Sequence, residues 1–331
     1  LGSLPSVVIH SDAGNGIGYT GLRIRGTDAT RINITLNGIP FNDAESQGTF
    51  FVNLPDFISS ASSIQVQRGV GTSSNGAGAF GASVNISTLE REKEKYIELN
   101  NSIGSFNSRK HTLKFSTGTR KGFFISGRLS SIQSDGFIDR ARSDLKAFYV
   151  STGYSKDSNS IIRLNIFSGK EKTYQAWYGI SETDLLAGNR RINYAGTEKP
   201  GSPYENETDN YQQTHYQFFW EKALHTSSRL STAFFITRGK GYYEQYKADQ
   251  KYSTYGLTPP LQNGVPITTA DFIRQLWLDN YFYGNTTTLS FKKNKTDWTL
   301  GGTISHYLGN HFGKLIWSSN SPLTPYTWYQ N

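Results

Sequence analysis

The sequence predicts a mainly β protein with the strands of an antiparallel transmembrane β-barrel and a small α+β unit in front of them. Three observations carry this. Beyond Lys95 apolar and polar residues alternate in about nine segments, each near the roughly ten residues that a tilted strand needs to cross a bilayer. The connections between them alternate in length, which a barrel requires and a sandwich does not. The charge balance shifts at Glu90: residues 1–90 hold four arginines, no lysine and six carboxylates, whereas 30 basic and 20 acidic residues lie beyond.

The front unit, residues 1–90, is organised around Ser63–Thr88. Ile64, Val66 and Arg68 alternate with Gln65 and Gln67, as in a strand. Gly69–Gly81 is almost all small residues, whose backbone turns sharply, and Ser83–Ser87 alternates again. Upstream, Leu1–Ile9 reads as an entry into the middle of a domain. Ser11–Gly21 is a glycine-rich loop in which Gly16, Gly18 and Gly21 match a dinucleotide fingerprint by letters. That fingerprint needs a following helix, and Leu22–Arg25 alternates like a strand instead, so the cofactor reading fails. Ile32–Leu36 is the next strand, with Asn37–Gly38 as its turn. Phe41–Phe51 is a polar loop, and Pro55–Ala61 predicts one short helix with Pro at its first turn.

In residues 91–331, Ile97, Leu99 and Ile103 begin the alternation. It continues through Phe123, Ile125 and Leu129, through Ile162, Leu164 and Ile166, and through Tyr216, Phe218 and Trp220. The last strands are expected near 276–291 and 297–308. Short turns are expected at Gly118–Lys121, Lys156–Asn159, Ala223–Ser227 and Lys292–Lys295. Long outer loops are expected at Ser134–Asp144, Glu171–Asp209 and Gly241–Asp271, and Gly309–Asn331 reads as a further outer loop without a return strand.

Composition excludes several classes. The net charge is +8, but the cations stand singly among polar and aromatic residues, with no stripe to track nucleic acid. Cysteine is absent, so there is neither a disulfide framework nor a thiolate metal site. No run of eighteen apolar residues offers a transmembrane helix. The six histidines (10, 111, 215, 225, 306, 311) show no metal or catalytic spacing, and pairs such as Asp43 and Glu45 suit a solvated loop better than a glycosidase. No catalytic group, metal or cofactor is expected, and the chain does not read as an enzyme. Met is absent even at position 1, so the sequence reads as a processed form or a piece.

The motifs resemble the end of the plug domain of TonB-dependent outer-membrane receptors. That plug ends in a strand closing with Arg-Gly, a small-residue loop with a Tyr-Gly or Asn-Gly step, then Gly-x-x-Val-Asn-Ile. Here these are Arg68-Gly69, Asn75-Gly76 and Gly81–Ile86. A second signature is Ile24-Arg25-Gly26, then Arg31–Pro40 and Asn53-Leu54-Pro55, with Asn37 where the family usually has Asp. The wording Asp43–Phe57 is similar to the Bacteroidota branch.

The resemblance implies a 22-strand barrel, of which about nine strands are present. The chain is then expected to be an internal piece of a larger receptor, since nine strands enclose no space for a plug of ninety residues. It implies ligand-gated, TonB-energised uptake of a scarce nutrient, an iron chelate first, with haem, cobalamin and glycans as other cargoes. A non-transporting adhesin or glycan-binding β-protein is the rival reading. Implied partners are an inner-membrane energy transducer, outer-membrane lipid and lipopolysaccharide, the small-molecule ligand and, as a further option, an outer-membrane lipoprotein. Plug loops of this placement touch ligand in the family, which makes Tyr19, Asp43, Glu45, Gln47 and Phe50 ligand candidates. Among the aromatic residues of the long loops, Trp177, Tyr178, Tyr242 and Tyr243 are the further candidates, unless they form an interfacial belt. Arg25 and Arg68 are expected to gate the plug by pairing with barrel-wall carboxylates, mostly beyond Asn331.

Overall fold

The computed structural model describes residues 2–70, 79–157, 159–320 and 322–331, so the Asn75-Gly76 step lies outside the described residues. The front unit opens with a hairpin of β1 (Val7–Ser11) and β2 (Thr20–Ile24). A four-stranded sheet follows, from β3 (Ile32–Leu36), β4 (Ile39–Pro40), β5 (Ser63–Arg68) and β6 (Ala82–Ser87), in the order β4-β3-β6-β5. β3 and β6 run parallel, Ile34 beside Val84, and both residues are fully buried. The turn after β3 is the expected one: Asn37 and Gly38 both take positive φ (59° and 78°), as a tight hairpin turn demands. Instead of the helix expected over Pro55–Ala61, a 3-10 turn spans Phe57–Ser60, and another spans Phe51–Asn53. Asp56 sits in the left-handed region (φ 56°), which breaks any helical run at its entry.

The second unit is one ten-stranded antiparallel sheet. It begins with β7 (Lys95–Gly104), β8 (Ser108–Arg120), β9 (Phe123–Ser134), β10 (Ser143–Asp157) and β11 (Ser160–Tyr174). After the short helix α1 (Glu182–Leu186) come β12 (Thr208–His225) and β13 (Ser228–Lys251). The small hairpin β14 (Leu261–Gln262) and β15 (Val265–Pro266) precedes β16 (Thr269–Lys293), β17 (Thr296–Ser318) and β18 (Tyr326–Gln330). Among the described residues no strand before Glu90 pairs with one after it. The nine long spans match the expected number.

Two expected outer loops are corrected. Over Gly241–Asp271 the strands continue: β13 and β16 stay paired from Gly241↔Leu278 to Lys251↔Thr269. Gly309–Asn331 contains the end of β17 and a return strand, β18, which pairs with Phe312–Leu315. Both stretches lie beyond the apolar band, where lipid no longer enforces alternation. Their dense Tyr and Trp favour strand all the same.

The two faces of the wall differ. Tyr216, Phe218, Phe234 and Ile236 are exposed to the lipid side, while Gln217, Phe219 and Phe235 between them are buried. The inner face packs on the front unit, whose core of Ile32, Ile34, Val84 and Ile86 continues into Tyr149 and Phe167 of the wall. Phe57 bridges the two, its ring 5.0 Å from Phe167 and 6.3 Å from Tyr149. The closest approach is at Gly169 on β11. A Cβ there would stand 2.1 Å from the Asn53 carbonyl oxygen and 2.6 Å from Pro55. Gly169→Val is therefore expected to push the front unit off the wall and raise passive leak of a large antibiotic at normal expression. Unchanged permeability would contradict this packing.

Candidate functional site

Between the front unit and the wall lies a belt of hydrogen bonds. The carboxylate of Asp56, its side chain 3% exposed, accepts from Lys110 Nζ at 2.5 Å, Thr112 Oγ1 at 2.8 Å and Ser130 Oγ at 2.7 Å, all on β8 and β9. Burial pushes this carboxyl up, but the bonds from Lys110, Ser59, Ser130 and Thr112 outweigh it and hold it below the ordinary aspartate value. Arg128 donates to the Pro55 carbonyl at 3.4 Å and Arg163 to the Thr88 carbonyl at 3.1 Å. Asn37, fixed by its turn, donates to Gln217 Oε1 at 2.8 Å and accepts from the Thr88 amide at 2.7 Å. Tyr149 closes this group by donating to Thr88 Oγ1 at 2.9 Å.

Above the belt, at the end of the strands with the long connections, a cavity of about 600 Å3 opens between the front unit and the wall. Its floor is the tip of the β1–β2 hairpin and the loop 43–50, and its wall is the upper part of β12, β13, β16 and β17. Tyr19 connects floor to wall. Its hydroxyl donates to Asp209, with Glu171 Oε1 at 3.3 Å as a second acceptor, and its ring meets Trp177 edge-on at 5.8 Å. Burial and those two carboxylates keep the phenol well above its usual pKa. Trp177 in turn meets Tyr243 edge-on at 6.1 Å, so three aromatic rings from three segments line one side. The loop 43–50 is held by the Asp43 carboxylate, which accepts from the Ser46 amide at 2.7 Å and the Ser46 hydroxyl at 2.8 Å. Its Glu45 reaches His311 of β17 at 2.9 Å.

Of the nine ligand candidates, Tyr19, Asp43, Glu45, Phe50, Trp177, Tyr242 and Tyr243 border this cavity. Tyr242 does so from the far side. Its register with Trp277 puts it on the lipid-side face, where its ring packs at a tilt of 38° against Trp277, 4.5 Å between centroids. Gln47 and Tyr178 stand outside. Gln47 (φ 59°) builds the loop by donating to the Ala44 carbonyl, and the Tyr178 hydroxyl accepts from Gln245 at 3.2 Å. Arg25 and Arg68 are exposed on the front unit; Arg68 donates to the Pro5 carbonyl, and among the described residues neither meets a carboxylate. The cavity also recruits Asp12, Asp209, Tyr211, His311 and Tyr329, which sequence reading did not single out. Inward parity on β12, set by the outward Tyr216 and Phe218, is the signal that places Asp209 and Tyr211 on the lumen side.

Comparison with known proteins agrees with this architecture. Residues 1–83 match the family model described as TonB-dependent Receptor Plug Domain. No curated protein sequence matches the chain. Among solved structures, the ferric-catecholate import receptor Fiu from E. coli K12 is similar at 14% identity and TM-score 0.61, over 89% of this chain and 44% of that one. The ferric preacinetobactin receptor BauA from Acinetobacter baumannii is 14% identical, with TM-score 0.60, over 98% and 45%. The ferric citrate transporter FecA is 16% identical, with TM-score 0.62, over 98% and 47%. The chain thus spans less than half the length of these structures. Residues 1–83 thus match the plug family, and the sheet has the fold of part of such a receptor's barrel.

Asp56→Asn should weaken plug docking by about 2 kcal/mol, since charged hydrogen bonds to Lys110, Thr112 and Ser130 are lost or reduced. Because the folded-state pKa is depressed, the contribution is complete above the ordinary value of about 3.9 and is lost as pH falls through the lower folded value. Hydrogen exchange of the β3 and β6 amides should therefore be insensitive to this group between about pH 5 and 8. A loosening centred in that window would contradict the assignment.

Proposed function

We propose that the chain is the plug and the first barrel wall of a receptor that takes up a scarce nutrient across the bacterial outer membrane, gated by ligand and energised by a TonB-type inner-membrane transducer. One observation carries the reading: the cavity is shared between the plug's loops and the wall, directly above the plug core. A ligand seated there touches the part that must move. Tyr19, Asp43, Glu45 and Phe50 would sense it from the plug, and Trp177 and Tyr243 from the wall. Gln47, Tyr178 and Tyr242 would act at the margin. An iron chelate is the favoured cargo; the iron-chelate receptors and transporter similar in fold support that choice.

Residues 1–90 would move as one unit against 91–331. Arg25 and Arg68 would hold the plug's uncovered side through carboxylates outside this chain. Lipid and lipopolysaccharide would surround the exposed apolar face, and an outer-membrane lipoprotein is a further proposed partner.

The test is accumulation of a radiolabelled ferric chelate in cells carrying the full receptor. It should stop when the proton gradient is collapsed, and uptake that ignores the gradient would contradict the proposal. Trp177→Ala or Tyr243→Ala should weaken binding about tenfold each, the worth of one buried aromatic contact. Arg25→Ala or Arg68→Ala should raise passive leak while leaving binding intact; an unchanged leak in both would remove their gating role.

A further inference from the structure

The cavity also carries a statement about ligand charge, which rests on the uptake reading for its biological meaning. Four carboxylates border it, Asp12, Asp43, Glu45 and Asp209, and among the described residues no lysine or arginine does. None of the four is paired with a lysine or arginine. Asp43 is bonded by the neutral donors of its own loop, Asp209 by the Tyr19 hydroxyl, and Glu45 by His311. The basic side chains nearby are engaged elsewhere. Arg274, on the lumen side, donates to the neutral Gln245 Oε1 at 2.8 and 3.1 Å, so its charge is uncancelled and reaches Tyr243 and Tyr329 at the cavity's edge; the four carboxylates outnumber it. Lys240 pairs with Asp279 at 3.0 Å, and Lys314 lies 5.1 Å over the Trp277 ring. Between the carboxylates stand the ring faces and edges of Tyr19, Trp177 and Tyr243. Like-signed charges in a concave site with apolar walls focus their field on the interior. Carboxylates interleaved with electron-rich rings suit a cation, which gains from both.

We propose that this site selects a positively charged ligand with flat or apolar faces, such as a chelate or glycoside bearing an ammonium group, and disfavours polyanionic chelates. The sign of its selectivity is opposite to what a tricatecholate or citrate complex of iron would need.

These 331 residues hold no cysteine, and any cysteine elsewhere in the full receptor is first replaced by serine. Single cysteines are placed at Ser46→Cys or, as an independent position, Gln213→Cys in the purified full receptor; both border the cavity. Each is reacted with a cationic (trimethylammonium-ethyl) and an anionic (sulfonatoethyl) methanethiosulfonate, and the rate ratio is referred to that of 2-mercaptoethanol. The ratio cancels the ionisation of the thiol itself. The cationic reagent should be favoured by about tenfold or more over the free-thiol ratio. The triple variant Asp12→Asn, Asp43→Asn, Glu45→Gln, which leaves only Asp209 of the four, should bring the ratio most of the way back to the free-thiol value. A ratio at or below the free-thiol value, or one untouched by the triple variant, overturns the proposal. The measurement needs no transport. A receptor that accumulates nothing would remove the uptake reading and leave the ratio standing, and an inverted ratio would do the reverse.

Discussion

The structure depends on one constraint: along β8 to β12 many of the inward-facing side chains are polar and are shut away from water. Arg128, Arg163, Asn165, Gln217 and Glu171 are each at most 3% exposed. Burying such groups is costly unless they are bonded. Several of the partners come from the plug. Its carbonyls at Pro55 and Thr88 accept from the two arginines, Asn37 answers Gln217, and Tyr19 places its hydroxyl by Glu171. The plug has the reciprocal need, since the Asp56 carboxylate finds three of its donors on the wall. Wall and plug therefore define each other's position more sharply than the apolar contacts at Phe57 and Phe167 could alone.

Under the uptake proposal the plug is held and then released, and the same belt suits that. Each neutral bond contributes about 1 kcal/mol net, and the charged ones somewhat more. Bonds of that size, spread over separate strands, can be parted in sequence by a pull on the plug. The plug's own core is different: Ile32, Ile34 and Val84 are wholly buried in a sheet that shares no strand with the barrel. Separation along the polar seam exposes groups that water can satisfy, whereas unfolding the core exposes apolar surface.

What the sequence revealed follows from where solvent enforces a rule. Lipid forces apolar residues outward, so Ile162, Leu164, Tyr216 and Phe218 announced their strands and the nine spans could be read. Asn37-Gly38 announced its turn because positive φ at two successive residues favours that pair. In Gly241–Asp271 and Gly309–Asn331 polar and aromatic residues fill both faces, and consecutive Glu244, Gln245 and Tyr246 are all buried, so no apolar–polar alternation marks the strands and both stretches read as loops although their backbones are paired. The 3-10 turn at Phe57 was hidden for another reason, the left-handed Asp56, which a carboxylate held by the wall stabilises and local propensity disfavours. In the cavity, Tyr19, Trp177 and Tyr243 were legible by residue type and placement. His311 and Asp209 were not, because Glu45 and His311 are 266 residues apart and only the packing of the front unit against the wall brings them together.

The central claim is that the plug seals the lumen through its seam with the wall and must leave that seam for transport. Cysteines at positions 37 and 217, where the two side chains now share a 2.8 Å hydrogen bond, can be joined by a short thiol-reactive bridge in a chain that has no other cysteine among these residues. The decisive measurement is ligand uptake by the bridged receptor compared with the same receptor before bridging. The account predicts that ligand still binds and that uptake stops. Uptake continuing at the unbridged rate would show that the plug does not part from the wall here, and would contradict it.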